Sequence, residues 1–345
     1  MCWCRSNQFP LNWEWGIKHS YPKMKRNLLL KFLPVFLLIN TLTACAGLQP
    51  TPAPKPPIRV EFTQAWGDYT LLVAKEKGYF KKYGIEVEPV YYDVLSDTFP
   101  DLAAGQIDGA LIAVGDTINT NSNAPMKVVG VEDNGGNEAI IVGPGINSIE
   151  DLKGKTIGTM IGSQYEMTVM KMLQSANMSV DDVTIIAMNP EDALTALKSG
   201  RVQAAHTWEP YSSEALSNGY KTIYPQQQLH LFPDQIVFRK SLVDERPEDV
   251  RAFLKAWFEA VEYRMQNREE TRKIAAQYLG ISPDEVKPDD TLKIYTADDN
   301  KTLFDTKEAN SIYSITKITS DYLISIGALI KETDPSELLN SSYLP

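Results

Sequence analysis

Short apolar runs alternate with segments of helical periodicity along the chain between residues 58 and 239. Apolar runs of about four to eight residues bounded by turn residues predict strands, whereas apolar positions three and four apart predict helices. Strands are expected at Ile58–Thr63, Ile85–Tyr91, Ala110–Val114, Met126–Val131, Glu138–Val142, Gln203–Thr207, Tyr220–Tyr224 and Gln235–Arg239. After these strands the pattern is helical, and helices are expected at Pro247–Asn267, Arg268–Leu279 and Thr306–Ile326. Strands that alternate with helices predict an α/β protein with mostly parallel sheets flanked by helices.

One sequence phrase occurs twice. In Leu102–Ala113 and again in Leu197–Thr207, a helix ends in Leu-x-x-Gly, a Val or Ile follows two residues after the glycine, and an apolar strand comes next. The second copy runs into Trp208–Tyr211, where Pro210 suits the first turn of a new helix. Two such units predict two similar lobes that each direct a strand end towards a shared cleft, because ligands of open α/β sheets bind beyond the carboxyl ends of the strands. The alternative is that helix–glycine–strand is ordinary in any α/β chain.

The order of the elements indicates how the chain divides between the lobes. We assign residues 58–142 to the first lobe, residues 143–237 to the second, and residues 238–345, which are mainly helical, to the first lobe again. Two chain crossings, near Ala139–Val142 and Ile236–Arg239, would then form a hinge.

The N-terminal region is typical of an export signal. Residues 24–44 combine a basic start, a short apolar run and small residues before Cys45, as a secretory signal does. The sequence before Cys45 resembles a bacterial lipobox, which implies a lipidated cysteine; the alternative is an ordinary signal with a chance cysteine. Residues 1–23 fit no signal pattern and are interpreted as sequence upstream of the true start at Met24. Residues 45–57 are rich in proline and predict an extended tether that attaches the protein to a membrane without spanning it.

Composition excludes several classes of function. The formal net charge of −10 argues against nucleic acid or an anionic membrane surface as the main partner. All three cysteines, at positions 2, 4 and 45, precede the folded part, which excludes thiol catalysis there. The three histidines, at positions 19, 206 and 230, form no cluster with metal-ligand spacing, and His206 is expected to be a satisfied strand residue. No metal or cofactor is therefore expected.

Several phrases, taken in order, resemble one protein family. They are Val73–Val87, Leu102–Ala110, Ile149–Gly158, Trp208–Tyr211 and Glu245–Glu248. In this order they are similar to type II periplasmic solute-binding proteins of ABC importers, in the branch that covers sulfonate, taurine, nitrate and thiamine-precursor binders. The resemblance spans about residues 58 to 344. It implies a two-lobed periplasmic-binding-protein type II fold with a two-crossing hinge, and an exported monomeric receptor that delivers a small solute to a membrane permease and its ATPase.

The candidate ligand-binding residues are polar or aromatic side chains and glycines that follow predicted strands. They are Trp66, Asp68, Tyr69, Gly115, Asp116, Asp133, Gly135, Ser163, Gln164, Trp208, Glu209 and Asp234. The first three match the ligand-facing loop that the resemblance implies. An aromatic ring can cover a flat or cationic group, and a helix N-terminus such as the one after Ser163 offers free N–H groups. Each candidate has a structural alternative, namely packing a loop, closing a turn or capping a helix.

The charge of these candidates bears on the solute. Five are acidic and none is basic, and a small bare anion would be destabilised opposite unpaired carboxylates in a semi-buried cleft. This composition departs from what a sulfonate or nitrate site should prefer. The hypothesis is a solute with an amine, an amidine or an N–H-rich heterocycle, placed against Trp66 or Trp208.

Two other functions remain open from the sequence. A lipid-anchored sensor could bind the same solute and signal to a membrane partner. A thiamine-pyrimidine synthase has the same fold, but such enzymes need histidine- and cysteine-rich stretches that are missing here. No nucleophile–base arrangement or phosphate loop stands out, so the chain is not expected to be an enzyme.

Overall fold

The computed structural model describes residues 55–135, 138–225, 232–290 and 292–345. The expectations for the signal sequence, for Cys45 and for nearly all of the tether fall outside these residues. Within them the chain forms two five-stranded sheets, each flanked by helices. None of the helices in the described part of the chain combines the length and the apolarity that crossing a membrane requires.

The first sheet has the strand order β2-β1-β3-β10-β4. Its strands are β1 (Ile58–Phe62), β2 (Val87–Tyr91), β3 (Gly109–Ala113), β4 (Met126–Val131) and β10 (Asp234–Arg239). Strands β1, β2 and β3 pair in parallel, and β10 is antiparallel to both β3 and β4. Four strands therefore run in one direction and the returning strand β10 runs against them.

The second sheet repeats this arrangement, with the order β7-β6-β8-β5-β9. Its strands are β5 (Glu138–Val142), β6 (Thr156–Thr159), β7 (Thr184–Ala187), β8 (Ala204–Trp208) and β9 (Lys221–Pro225). Here β5 is the antiparallel strand, paired with β8 and β9. The strands β3 and β8, which follow the two copies of the repeated phrase, hold equivalent central positions in their sheets, which confirms the prediction of two similar units.

The helices of the first lobe come from both ends of the described chain. They are α1 (Tyr69–Glu76), α2 (Tyr79–Lys82), α3 (Thr98–Ala104), α4 (Val114–Asn123), α8 (Lys240–Glu245), α9 (Pro247–Gln266), α10 (Arg268–Leu279), α11 (Ala297–Leu303), α12 (Ile312–Ser325) and α13 (Pro335–Leu338). The second lobe has α5 (Gln164–Ser175), α6 (Ala193–Lys198) and α7 (Tyr211–Ser217). The C-terminal helices pack on the first lobe, where the buried Phe253 ring of α9 stacks on Phe80 of α2 with 5.2 Å between the ring centroids.

Two expectations about the chain path are wrong. The strand Glu138–Val142, which we assigned to the first lobe within residues 58–142, pairs inside the second sheet, and Asp234–Arg239 lies wholly in the first sheet. The chain therefore changes sheet before each of these strands, and neither strand is itself a crossing. The helix expected at Thr306–Ile326 starts later than expected, because residues 306–310 are not helical and Ser311 caps α12 by accepting a hydrogen bond from Ser314 N.

Candidate functional site

A cavity lies between the two lobes, at the ends of their central strands. A water-sized sphere can occupy about 40 Å³ there, which is room for roughly three water molecules. The lining residues are Thr63, Gln64, Ala65, Asp68, Asp93, Leu95, Leu111, Ile112, Ala113, Glu138, Tyr165, Glu191, Trp208, Glu209, Pro210, Tyr211 and Asp234. Residues 63–113 and Asp234 come from the first lobe and the others from the second, so the site is a cleft in a nearly closed state.

The wall from the first lobe carries three carboxyl groups, those of Asp68, Asp93 and Asp234. Asp68 is fixed at the end of β1, where its Oδ2 accepts hydrogen bonds from Thr63 N (2.6 Å) and Thr63 Oγ1 (2.8 Å). Burial raises the pKa of Asp68 to about 6. Asp234 begins β10 beside Ala113. Burial, followed by the neighbouring charges of Asp133 and Asp68, holds the pKa of Asp234 well above its usual range.

The wall from the second lobe is an aromatic and acidic cluster. The ring of Trp208 lies 5.4 Å from that of Tyr165, and the Tyr165 ring lies 5.0 Å from the imidazole of His206. His206 Nε2 is 2.8 Å from Glu138 Oε2, and Glu138 reaches the cavity. Burial raises the pKa of Glu138 well above its usual range and lowers the pKa of His206 to about 3. The expectation that His206 is a satisfied strand residue holds for Nε2 but not for Nδ1, which has no partner among the described residues.

The start of α7 completes this wall. Glu209 lines the cavity, yet its carboxylate also accepts hydrogen bonds from Ser212 Oγ and Ser213 N, as a helix-capping side chain does. Glu191 reaches across the cleft, where its Oε1 accepts a hydrogen bond from Leu95 N at 3.3 Å. Each of these two carboxylates therefore both lines the cavity and accepts a hydrogen bond from the protein.

Four of the candidate residues, Gly115, Asp116, Ser163 and Gln164, lie at the facing starts of α4 and α5 and do not line the cavity. Gly115 N donates to Gln164 Oε1 (2.6 Å), and Tyr165 Oη donates to Asp116 Oδ2 (2.7 Å). Ser163 caps α5 by accepting a hydrogen bond from Tyr165 N. These contacts join the first turn of α4 to the first turn of α5. Burial raises the pKa of Asp116 to about 7.

Two candidates lie where the chain passes between the lobes. Asp133 is buried, its Oδ1 accepts a hydrogen bond from Gly135 N, and burial raises its pKa to about 7. Gly135 has φ +59°, and a Cβ atom there would come within 1.8 Å of the carbonyl oxygen of Phe232 on the returning segment. Neither residue lines the cavity, so this bend is where the two connections touch.

Trp66 and Tyr69 do not line the cavity either, contrary to the expectation of a ligand-facing loop. The Trp66 ring is buried against the guanidinium of Arg264, 4.8 Å from its centroid, and meets Tyr69 edge-on. Tyr69 Oη donates to Gln64 O, so this side chain also supports its own loop. The arginine responsible for this packing lies on α9, far along the chain from Trp66, and a local pattern does not reveal such a partner.

Arg264 is the cation at the centre of a buried acidic region. It is 3% exposed and donates to Trp66 O, Gly67 O and Thr70 Oγ1. Burial lowers its pKa to about 10, while Glu132, Asp133 and Asp68 act to raise it. These interactions hold the segment that carries Asp68 to the edge of the cleft.

The groups that sequence reasoning missed include Tyr165, Glu138 and Arg264, and also the cavity-lining carboxylates of Asp93 and Glu191. Tyr165 directly follows the candidate pair Ser163–Gln164, so its position at a helix start was a usable signal. Glu138 was interpreted only as the first residue of a strand.

The electrostatic character of the cavity is uniform. Asp68, Asp93, Glu138, Glu191, Glu209 and Asp234 line it, and none of the described lining residues is Lys or Arg. Among the described residues no group of three or more His, Cys, Asp or Glu is placed to hold a metal ion. The carboxyl groups can accept hydrogen bonds and stabilise a positive charge. The rings of Trp208, Tyr165 and Tyr211 can cover the apolar part of a bound molecule.

The two lobes enclose a cleft, and the sheet of each lobe has four strands in one direction and one strand against them. This arrangement defines a two-lobed solute-binding-protein fold, and solved structures share it. The chain superposes on the aliphatic sulphonate-binding protein SsuA of Escherichia coli with a TM-score of 0.67 at 19% identity, over 82% of this chain and 92% of that one. It superposes on the nitrate-binding protein NrtA of Synechocystis PCC 6803 with a TM-score of 0.68 at 17% identity, over 83% and 86%. At these identities the likeness establishes the periplasmic-binding-protein fold.

Sequence comparison assigns the chain to one family. Residues 69–271 match the family model described as NMT1/THI5 like, and the protein belongs to that family. It is 27% identical over 331 residues to a putative aliphatic sulfonates-binding protein of Bacillus subtilis, covering 93% of this chain and 96% of that protein. It is 25% identical over 293 residues to a putative binding protein of Brucella abortus, covering 83% and 91%.

Proposed function

We propose that this protein is the solute receptor of an ABC importer and that its solute is a small molecule with a protonated or N–H-rich nitrogen group. The receptor function is supported by the family and by the cleft between two similar lobes. It implies export, anchoring through a lipidated Cys45, and delivery of the solute to a permease–ATPase complex. Mass spectrometry of the mature N-terminus tests the anchor directly.

The single observation that supports the nitrogen-containing solute is the set of six carboxyl-bearing residues around a cavity whose described lining has no basic side chain. Sulfonate and nitrate carry a full negative charge, which unpaired carboxylates in a desolvated cleft destabilise. A cation or N–H donor is stabilised by the same groups, and Trp208 and Tyr165 supply ring faces for its apolar part. The relatives named for sulfonates and nitrate therefore share the fold, and we infer a different solute for this cleft.

Titration calorimetry decides between these ligand classes. Methylammonium, guanidinium and 4-aminopyrimidine form one group of probes, and methanesulfonate and nitrate form the other. We expect binding in the first group, with none for nitrate or methanesulfonate.

Asp234→Asn tests the contribution of one carboxyl group from the first lobe. It should weaken cation binding by about tenfold or more, because a charged hydrogen bond contributes about 1.5–3 kcal/mol. Asp298→Asn, on the exposed face of α11, is the matched control. Tight binding of nitrate or methanesulfonate by the unmodified protein would exclude the cationic solute while leaving the receptor class intact.

A further inference from the structure

His206 and Glu138 form a buried pair behind the solute cavity. They lie on the paired strands β8 and β5, where Glu138 is opposite Trp208 and His206 is opposite Ile140. This register puts both side chains on the face of the sheet that looks towards Tyr165 and the cleft. The His206 side chain is 0% exposed and that of Glu138 is 5% exposed, with 2.8 Å between Nε2 and Oε2. The carboxyl group of Glu138 therefore lies between the imidazole and the solute.

The pair has two arrangements that share this geometry. In the first, Glu138 is protonated and donates to Nε2, so the ring proton is on Nδ1. In the second, Glu138 is ionised and accepts a hydrogen bond from Nε2–H, so Nδ1 carries only a lone pair. Nδ1 has no hydrogen-bond partner among the described residues. The first arrangement thus leaves a buried donor unpaired, whereas the second buries a negative charge.

The surroundings decide which arrangement the empty site adopts. The groups facing the pair are Tyr165 of α5, Asp116 of α4 through the Tyr165 hydroxyl, Asp234 of β10 and the Trp208 ring. None of these is a cation, so none of them offsets a negative charge on Glu138. Burial also raises the pKa of Glu138 and lowers that of His206. Burial and the lack of a facing cation therefore favour the uncharged pair before a solute binds, with Glu138 protonated and the imidazole in its Nδ1–H form.

We propose that a cationic solute switches this pair, so that Glu138 becomes a carboxylate facing the solute, His206 changes from the Nδ1–H to the Nε2–H tautomer, and one proton leaves for the solvent. The pair holds two protons before binding, on the Glu138 carboxyl and on Nδ1, and one afterwards, on Nε2. One positive charge enters and one leaves, so the net charge of the closed cleft is unchanged. This inference rests on the proposed cationic solute. Glu138 is then the residue that selects the solute, and His206 is the residue that positions the Glu138 carboxylate.

Titration calorimetry with methylammonium and guanidinium chlorides at pH 7, in two buffers of different ionisation enthalpy, measures the protons released. We expect about one proton per bound cation in the unmodified protein and in Glu214→Gln, an exposed control on the same lobe. We expect a value near zero in Glu138→Gln, together with at least a tenfold loss of affinity. Binding without proton release, or release that persists in Glu138→Gln, would overturn the switch and leave the proposed function standing. If neither cation binds, the cationic solute and the switch both fail, and the receptor class stands.

Nitrogen-15 NMR of the histidine rings provides a readout that needs no variant with altered binding. We expect the His206 signals to show the Nδ1–H tautomer in the empty protein and the Nε2–H tautomer after methylammonium is added, with His206→Gln used only for assignment. A His206 tautomer that does not change on binding contradicts the proposal, even if Glu138→Gln is too unstable to study.

Discussion

Arg264 offers the sharpest test of how the first lobe presents its side of the cleft. Its guanidinium donates to Trp66 O, Gly67 O and Thr70 Oγ1, each at 2.6 Å. Arg264→Met keeps most of the apolar stem but removes the cation and all three donors. Removing one partner from a buried charged network costs about 3–5 kcal/mol, because the remaining groups stay buried without compensation. For a folded body of about 290 residues this is a fall in melting temperature of about 5–10 °C.

The neighbouring Arg268 is a matched control for this change. It also lies over the Trp66 ring, at 5.4 Å, but its side chain is 43% exposed and it pairs with Asp290 at the surface. Arg268→Met should change the free energy of unfolding by less than about 1 kcal/mol, as exposed ion pairs do. Urea unfolding and thermal melts of both variants at pH 7.5 measure the difference. Equal effects of the two substitutions would refute the reasoning, because the buried network would then contribute nothing beyond ring stacking.

Tyr165→Phe removes the hydrogen bond to Asp116 that spans the cleft, so we expect about fivefold weaker solute binding and a more open ligand-free form in small-angle scattering. Tyr92→Phe, which removes a tyrosine–carboxyl hydrogen bond within one lobe, should leave both measurements unchanged. Gly135→Ala should destabilise the fold by more than about 2 kcal/mol, since its Cβ would meet a carbonyl oxygen at 1.8 Å. The control is Gly154→Ala, at φ +71° with no atom within 4 Å, which should lower the free energy of unfolding only by the left-handed backbone penalty of about 1–2 kcal/mol. Equal losses of stability in the two variants would argue against the contact between residue 135 and Phe232. Finally, burial raises the pKa of three carboxyls from 3.8 to between about 6 and 7, so the native state binds more protons than the unfolded chain. The free energy of unfolding without solute should fall as pH rises from about 4 to 7, and a rise across that window in urea titrations would contradict this.

The fold was largely predictable because its signals are local. Apolar runs located the strands, and the repeated Leu-x-x-Gly phrase identified β3 and β8 as equivalent. Sheet membership was not predictable in the same way, because the mostly apolar sequence of Glu138–Val142 carries no local signal for which sheet it joins. The helix α11 was missed because its Thr296 capping box uses Asp299 where Glu or Gln is usual.

The site was predictable only in part, for a physical reason. Asp68, Trp208, Glu209 and Asp234 line the cavity, as their positions beside strand ends suggested. Trp66 does not, because a loop residue turns towards whichever partner stabilises it most, and that partner is Arg264 on a distant helix. Six other candidates lie at the facing starts of α4 and α5 or at the crossing between the lobes, where they make contacts within the protein.

The position of β10 bears on how this protein is made. Residues 138–225 form the second lobe as one continuous segment, whereas β10, the strand between β3 and β4, comes from the chain that follows it. As the polypeptide emerges from the ribosome, the later lobe in sequence can complete its sheet while the earlier one still has a gap at its centre. The first sheet therefore cannot be completed until residues 234–239 have been synthesised, which delays the folding of the first lobe relative to the second.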